Sequence, residues 1–465
     1  MRELLNLFGY EDWEMEEQVP RVEEAFRRLG ITAQDVESAK RRLSHYYNLE
    51  IVGVRKMLGL YLRDLVDLTL ARDEGKTKII YAIMAEGFDL IASAFGSKTK
   101  ELFVSWPESL FEVIFGPGCF DKLIPILEAA ENKWLKAGKV CHCANVKCLV
   151  GPLELGLIPE PDMLVVSGFL CETAPKTVDI LHEIFRVPMS FFGTCLDREA
   201  GEDTETEIKR VRVAAQHMRA LVKEMEGLLG VTVTDQDVVE QIQAKRVLRD
   251  NLQRIHEILD TSDRRLLSAA NESIIFLSAR LAANVGNVPR LAEATSLIRE
   301  DLEKRLSSDF NLADPNSPRV FVLVPASFTD PRLEHLLEEC GMVVASTEID
   351  CFWPDGQRVP LRLEGTEDVY EGVCSYLYDS KTRKLSERLH IIKEVCKRLN
   401  VDGVVCRSHV GCRTIHGDVL MIKEAITRDL GLPAIVLEYE SFDPRYYDHQ
   451  ALQGKFETFK QVLMQ

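Results

Sequence analysis

From Asn400 to Tyr439 the chain carries a β-branched run, Val401-Asp-Gly-Val-Val-Cys406, and a loop, Arg407-Ser-His409-Val-Gly-Cys412-Arg-Thr-Ile-His416. An amphipathic run to Leu430 and the apolar Ala434-Ile-Val-Leu437 follow. Short apolar runs on either side of a helical pattern predict strand, loop, helix and strand. Strands joined through a helix run parallel. The loop therefore falls at the C-terminal edge of a parallel sheet, where open α/β folds bind their ligands. Two cysteines and two histidines stand within eleven residues there, a donor set that suggests a metal.

The same texture begins at Lys76. Strand-length apolar runs at 77–83, 102–105, 139–140, 162–167 and 187–192 alternate with helical patterns, and after the turn-rich Asp314-Pro-Asn-Ser-Pro318 further runs occupy 319–325 and 341–346. Alternation of this kind predicts an α/β protein with two doubly wound, Rossmann- or flavodoxin-like domains, at 76–204 and 314–465. Residues 1–75 read as an N-terminal helical region, with a short helix opened by Val19-Pro20 and a long one running from an N-cap at Thr32 past Tyr61. Residues 205–313 read as a helical connector, with a second helix start at Thr234. Lys245, Arg246 and Arg249 read as its solvated face. No clean internal repeat relates the two α/β domains.

A net charge of −17 argues against a nucleic-acid partner, because phosphate binding needs a local excess of Lys and Arg. No apolar stretch approaches the twenty residues of a membrane span and the start lacks a signal core, so a cytoplasmic location is expected. Twelve cysteines without a secretory signal are then core fillers, metal ligands or redox groups rather than a disulfide framework. Cys340, Cys374 and Cys396 read as packing residues, as do His217 and His256; Cys119 and Cys351 lie in loops and stay open.

Three regions bring thiols to strand ends: Cys141, Cys143 and Cys148 after 139–140, Cys171 after 162–167, and Cys412 after 401–406. Three converging thiolates suit an iron–sulfur cube with one iron left open. Cys148, Cys195 and Cys406 double the set, enough for two cubes. Spacing alone leaves alternatives standing. Cys143-x4-Cys148 lacks the Cys-x2-Cys continuation of a plant-type ferredoxin, and Cys406-x2-His409-x2-Cys412-x3-His416 also matches a structural zinc site. Neither a phosphate-binding glycine loop nor a nucleophile elbow is present.

Four places carry a resemblance. They are Phe88-Asp89-Leu-Ile-Ala-Ser-Ala-Phe-Gly96; Cys143-Ala-Asn-Val-Lys147; Pro161 through Cys171-Glu172 with Val187-Pro188; and Asp402-Gly-Val-Val with Cys412, Gly431-Leu-Pro433, Leu437-Glu438, Gln450 and Phe456. In order and spacing the chain resembles, over about residues 76–465, the large iron–sulfur subunits of the 2-hydroxyacyl-CoA dehydratase and benzoyl-CoA reductase family. Arg413, Glu172 and Asp89 depart from that family's usual residues.

The resemblance implies that Cys143, Cys171 and Cys412 hold a [4Fe–4S] cluster. It also implies an ATP-hydrolysing iron–sulfur activator as electron donor, an acyl-CoA or small-molecule substrate, and assembly as a homodimer or heterodimer. One branch of the family carries a double-cubane [8Fe–9S] cluster, which Cys148, Cys195 and Cys406 would complete, with Cys141 and Cys119 in reserve. Arg413, His409 and His416 share the cluster loop and are candidates for orienting substrate or donating protons. Readings from another class are a non-catalytic electron carrier and a zinc-stabilised scaffold.

Overall fold

The computed structural model describes residues 1–133, 142–169, 171–193, 204–323, 330–348, 368–378, 385–412 and 416–465. Strands β1 (Lys78–Ile83), β2 (Leu102–Ser105), β3 (Met163–Ser167) and β4 (Met189–Phe192) form one parallel sheet in the order β2-β1-β3-β4. Strands β5 (Arg319–Leu323), β6 (Val343–Thr347), β7 (Gly403–His409) and β8 (Ala434–Tyr439) form a second, in the order β6-β5-β7-β8. The expected α/β architecture with two doubly wound sheets is therefore present, and the two sheets share one topology that no sequence repeat announced. Parallel sheets are covered by helices on both faces, so their strands read as unbroken apolar runs. All five residues of β3 and all seven of β7 are buried. The candidate run at 139–140 lies outside the described residues.

The N-terminal helices do not stand apart from the first sheet. Leu4, Phe26, Leu43 and Leu65 share one hydrophobic core with Ile79 and Tyr81 of β1 and with Leu252 and Leu291 of the connector. The Val52–Leu70 helix lies at its centre, so close to Asn287–Leu306 that a Cβ on Gly53 would meet the Ala294 carbonyl oxygen at 2.4 Å.

Local signals held where they were self-contained. Thr32 and Thr234 each cap a helix through a reciprocal box, with Asp35 and Asp237 returning bonds to the cap N–H groups at 2.7 and 2.8 Å. Long-range contacts changed others. Pro20 lies inside the Met15–Arg28 helix, which the Asp12–Glu14 turn opens ahead of it. The helix from Thr32 ends at Tyr46, because Asn48 leaves it to bond Asn271 and the Ser268 N–H. Lys245, expected on a solvated face, is fully buried and donates to the Asp89 carboxylate at 2.9 Å. The C-terminal helix, His449–Leu463, starts on an Asp448 cap.

Candidate metal centre

In both sheets the winding reverses beside the first strand, between β1 and β3 and between β5 and β7. Such a reversal opens a crevice beyond the carboxyl ends of the strands. Cys171 lies just past β3 and Cys412 just past β7, topologically equivalent places in the two halves. Cys143 arrives differently. It is the N-cap of the Ala144–Glu154 helix, not a residue at the end of a described strand.

The three meet. Gly411, with φ of +88°, lies against the Cys143 backbone, where a Cβ on it would stand 3.3 Å from the Cys143 Cα. The Cys143 thiol is pushed well up by burial and then by Cys171, Glu440 and Cys412, so each region feels the charge of the others. Burial raises Cys171 to about 12, against hydrogen bonds from the Ala174 and Thr173 N–H groups that favour its thiolate. The Ala174 N–H lies 3.2 Å from its sulfur. Cys143 and Cys171 thus sit at helix N-termini, where unpaired amides and the helix dipole stabilise negative sulfur.

A buried acidic wall adjoins the thiols. The Pro107–Phe115 helix is buried at every residue, and within it Glu108 and Glu112 have no water to solvate them. Burial raises Glu108 to about 8 and Glu112 well above the usual carboxylate range. Glu440, beyond β8, is likewise raised to about 8 by burial, and accepts a hydrogen bond from the Ala144 N–H beside Cys143. Arg280 donates to Glu86 Oε1 at 3.0 Å and stands 3.5 Å from Glu108 Oε1. Glu86 Oε2, Glu108 Oε2, Glu440 Oε2, Asn145 Oδ1 and Ser441 Oγ are buried without a hydrogen-bond partner. Met84, at the mouth of β1, takes a φ of +46°, a strained choice for a long side chain. Orphaned polar atoms and strain concentrated at one crevice mark a place built for a guest.

The residues fit an iron–sulfur cluster. None of the nine described cysteines is in a disulfide. Among the described residues the three thiols do not gather within 4.8 Å of one another, whereas one tetrahedral zinc would hold sulfurs about 3.8 Å apart. A wider group with one iron per thiolate suits that spread.

The profile of the 2-hydroxyglutaryl-CoA dehydratase D-component family matches residues 123–463. The chain belongs to that family. It is an enzyme of this group, with its reaction class left open by the match. A benzoyl-CoA reductase polypeptide from Thauera aromatica, one of the several that make up that enzyme, is 23% identical over 404 residues, covering 80% of this chain and 90% of the relative.

Within this dehydratase-family chain the remaining candidates scatter. Cys148 lies one turn into the Cys143 helix, fully buried, and its thiol is pushed up by burial and then by Glu112, Glu440 and Cys143. Cys406 lies inside β7 and packs with Val404, Ile392 and Cys396 in the core of the second sheet; its charged neighbours are Glu348, Lys423 and Arg388, not the other thiols. Cys119 is a buried packing residue near Phe120. Cys141, Cys195, Cys351 and Arg413 lie outside the described residues.

The zinc quartet is not assembled. Cys406 and His409 are three apart on one strand and so face opposite sides of the sheet. His409 is buried, accepts the Ser441 N–H at Nδ1 at 3.0 Å and turns Nε2 toward Glu440 at 3.4 Å. Burial, then Arg407 and His416, lower it to about 3, so it is neutral and offers the Nε2 proton only as a hydrogen-bond donor. His416 is exposed and bonded to Ser408 Oγ at 2.6 Å.

Sequence reasoning missed Glu86, Glu108, Glu112, Glu440 and Arg280. One signal was available: Glu108 and Glu112 stand a turn apart in an otherwise apolar stretch, a pattern of buried acids rather than of an amphipathic helix.

Proposed function

We propose that the chain is an iron–sulfur redox enzyme component that delivers low-potential electrons to an acyl-CoA thioester or a related small substrate. The convergence of Cys143, Cys171 and Cys412 on one crevice supports this reading above all. A [4Fe–4S] cluster on these thiolates would supply the electron and, at an iron without a cysteine, a Lewis-acid position. The chain's own residues supply the surroundings. The helix N-termini at Cys143 and Cys171 hold the thiolates, the buried core excludes water, and Arg280 holds Glu86 and Glu108 along one wall. Glu108, kept protonated by burial, is placed to give a proton to a substrate gaining an electron. The electron donor would be an ATP-hydrolysing iron–sulfur activator, and a second chain of the same fold would complete the assembly.

A double-cubane cluster remains the second reading, favoured by Cys148, which lies close enough to Cys143 to feel its charge. Iron, zinc and acid-labile sulfide on anaerobically purified protein test both. About four irons with matching sulfide support one cube, and about eight the double cubane. Zinc near one with negligible iron, after reconstitution has failed, would overturn the redox reading. Turnover that requires a reduced activator and ATP separates a catalyst from an electron carrier.

A further inference from the structure

On the outer seam between the N-terminal helices and the second sheet, His45, His335 and Glu339 each turn one ligand atom inward, and the three atoms lie within 4.8 Å of one another. His335 and Glu339 are one turn apart on the Arg332–Glu339 helix, so they share a face. His45 comes from the last turn of the Ala33–Tyr46 helix, nearly three hundred residues away in sequence, and its ring centroid is 4.4 Å from that of His335. His335 Nε2 is closed off from water and makes no aligned hydrogen bond, although Glu339 Oε1 stands 3.2 Å away. A shielded nitrogen aimed at a second imidazole and a carboxylate has the donor arrangement of a metal site lacking its ion.

We infer that His45, His335 and Glu339 bind one divalent transition-metal ion, zinc being the best match. Two imidazoles and a carboxylate favour zinc over calcium or magnesium, which take oxygen ligands. His45 and Glu339 are exposed, so the fourth position opens to water. The ion would pin the N-terminal helical layer to the helix that follows β5. None of the cluster cysteines takes part, so the inference stands apart from the redox reading.

The test uses anaerobically purified full-length protein, its iron content recorded, titrated with Co2+ as a spectroscopic substitute and then with Zn2+. One equivalent of Co2+ should bind with the visible bands of nitrogen and oxygen ligation and no thiolate-to-cobalt band, and Zn2+ should displace it. His45→Ala and His335→Ala should each weaken binding at least roughly tenfold. Cys340→Ser, beside Glu339, should leave it unchanged. Circular dichroism checks that the variants fold, and His45, on the surface, can be replaced without touching the core. A thiolate band, Co2+ binding that survives both histidine variants, or no saturable binding to the wild type would each overturn the site.

Discussion

Gly411 rests on Cys143: a Cβ added to Gly411 would stand 3.3 Å from the Cys143 Cα and 3.5 Å from its amide nitrogen. The loop after β7 can reach the start of the Ala144–Glu154 helix only because position 411 has no side chain and accepts a φ of +88°. Gly411→Ala should destabilise the chain by about 1–2 kcal/mol through backbone strain and push Cys412 away from Cys143. The expected result is a lower denaturation midpoint together with reduced iron content. Wild-type iron content and an unaltered cluster spectrum would show that the contact does not set the cluster's geometry.

Cysteine-to-serine replacements should divide into two classes. Cys143→Ser, Cys171→Ser and Cys412→Ser should each lose most of the bound iron. Cys406→Ser should keep it and lose about 1–3 kcal/mol of stability, because a hydroxyl would replace a thiol among apolar neighbours. Iron analysis beside urea denaturation decides. A Cys406→Ser protein with about half the wild-type iron would restore Cys406 to a second cluster.

Lys147, four residues after Cys143, is buried and bonds Glu131 at 2.8 Å, while Arg445 reaches the same carboxylate at 2.7 Å. Glu131→Gln leaves both cations facing a neutral group and should lose about 3–5 kcal/mol. Lys147→Met leaves Arg445 on Glu131 and should lose less. Denaturation midpoints of the two variants, measured together, give the order; the reverse order would mean that Lys147, not Glu131, holds this corner together.

Asp64 is buried and accepts the Asn287 amide at 2.7 Å, and burial raises it to about 8. Its folded pKa lies above the unfolded value. Its stabilising contribution is therefore complete below about pH 4 and declines as pH rises towards 8. The slope there is at most about 1.4 kcal/mol per pH unit. Asp64→Asn, which keeps the accepting oxygen, should flatten this part of the profile and raise stability at alkaline pH. Denaturation midpoints compared near pH 6 and pH 9 test it, and an unchanged slope in Asp64→Asn would assign the pH dependence elsewhere.

Much of the fold was legible because its signals are local. Buried parallel strands betray themselves as apolar runs, and Thr32 and Thr234 find their capping partners three residues on. The cysteine loops were legible for the same reason: strand, loop and helix place Cys171 and Cys412 without knowledge of the rest. Cys406 misled because nearness to Cys412 in sequence says little about direction. Strand alternation turned it into the sheet core. Lys245 misled because a charge in a helical pattern reads as solvated until a partner such as Asp89 arrives from another segment.

The amino-acid sequence by itself determined the two parallel sheets, the strand-end loops and the cysteines they carry, since these depend on periodicity and turn chemistry over a few residues. Only the tertiary structure decided that Cys143, Cys171 and Cys412 share a crevice, that Glu86, Glu108, Glu440 and Arg280 surround it, and that His45 meets His335 and Glu339. Those groups come from segments tens to hundreds of residues apart. Their meeting is set by packing of whole helices and sheets, which no local pattern encodes.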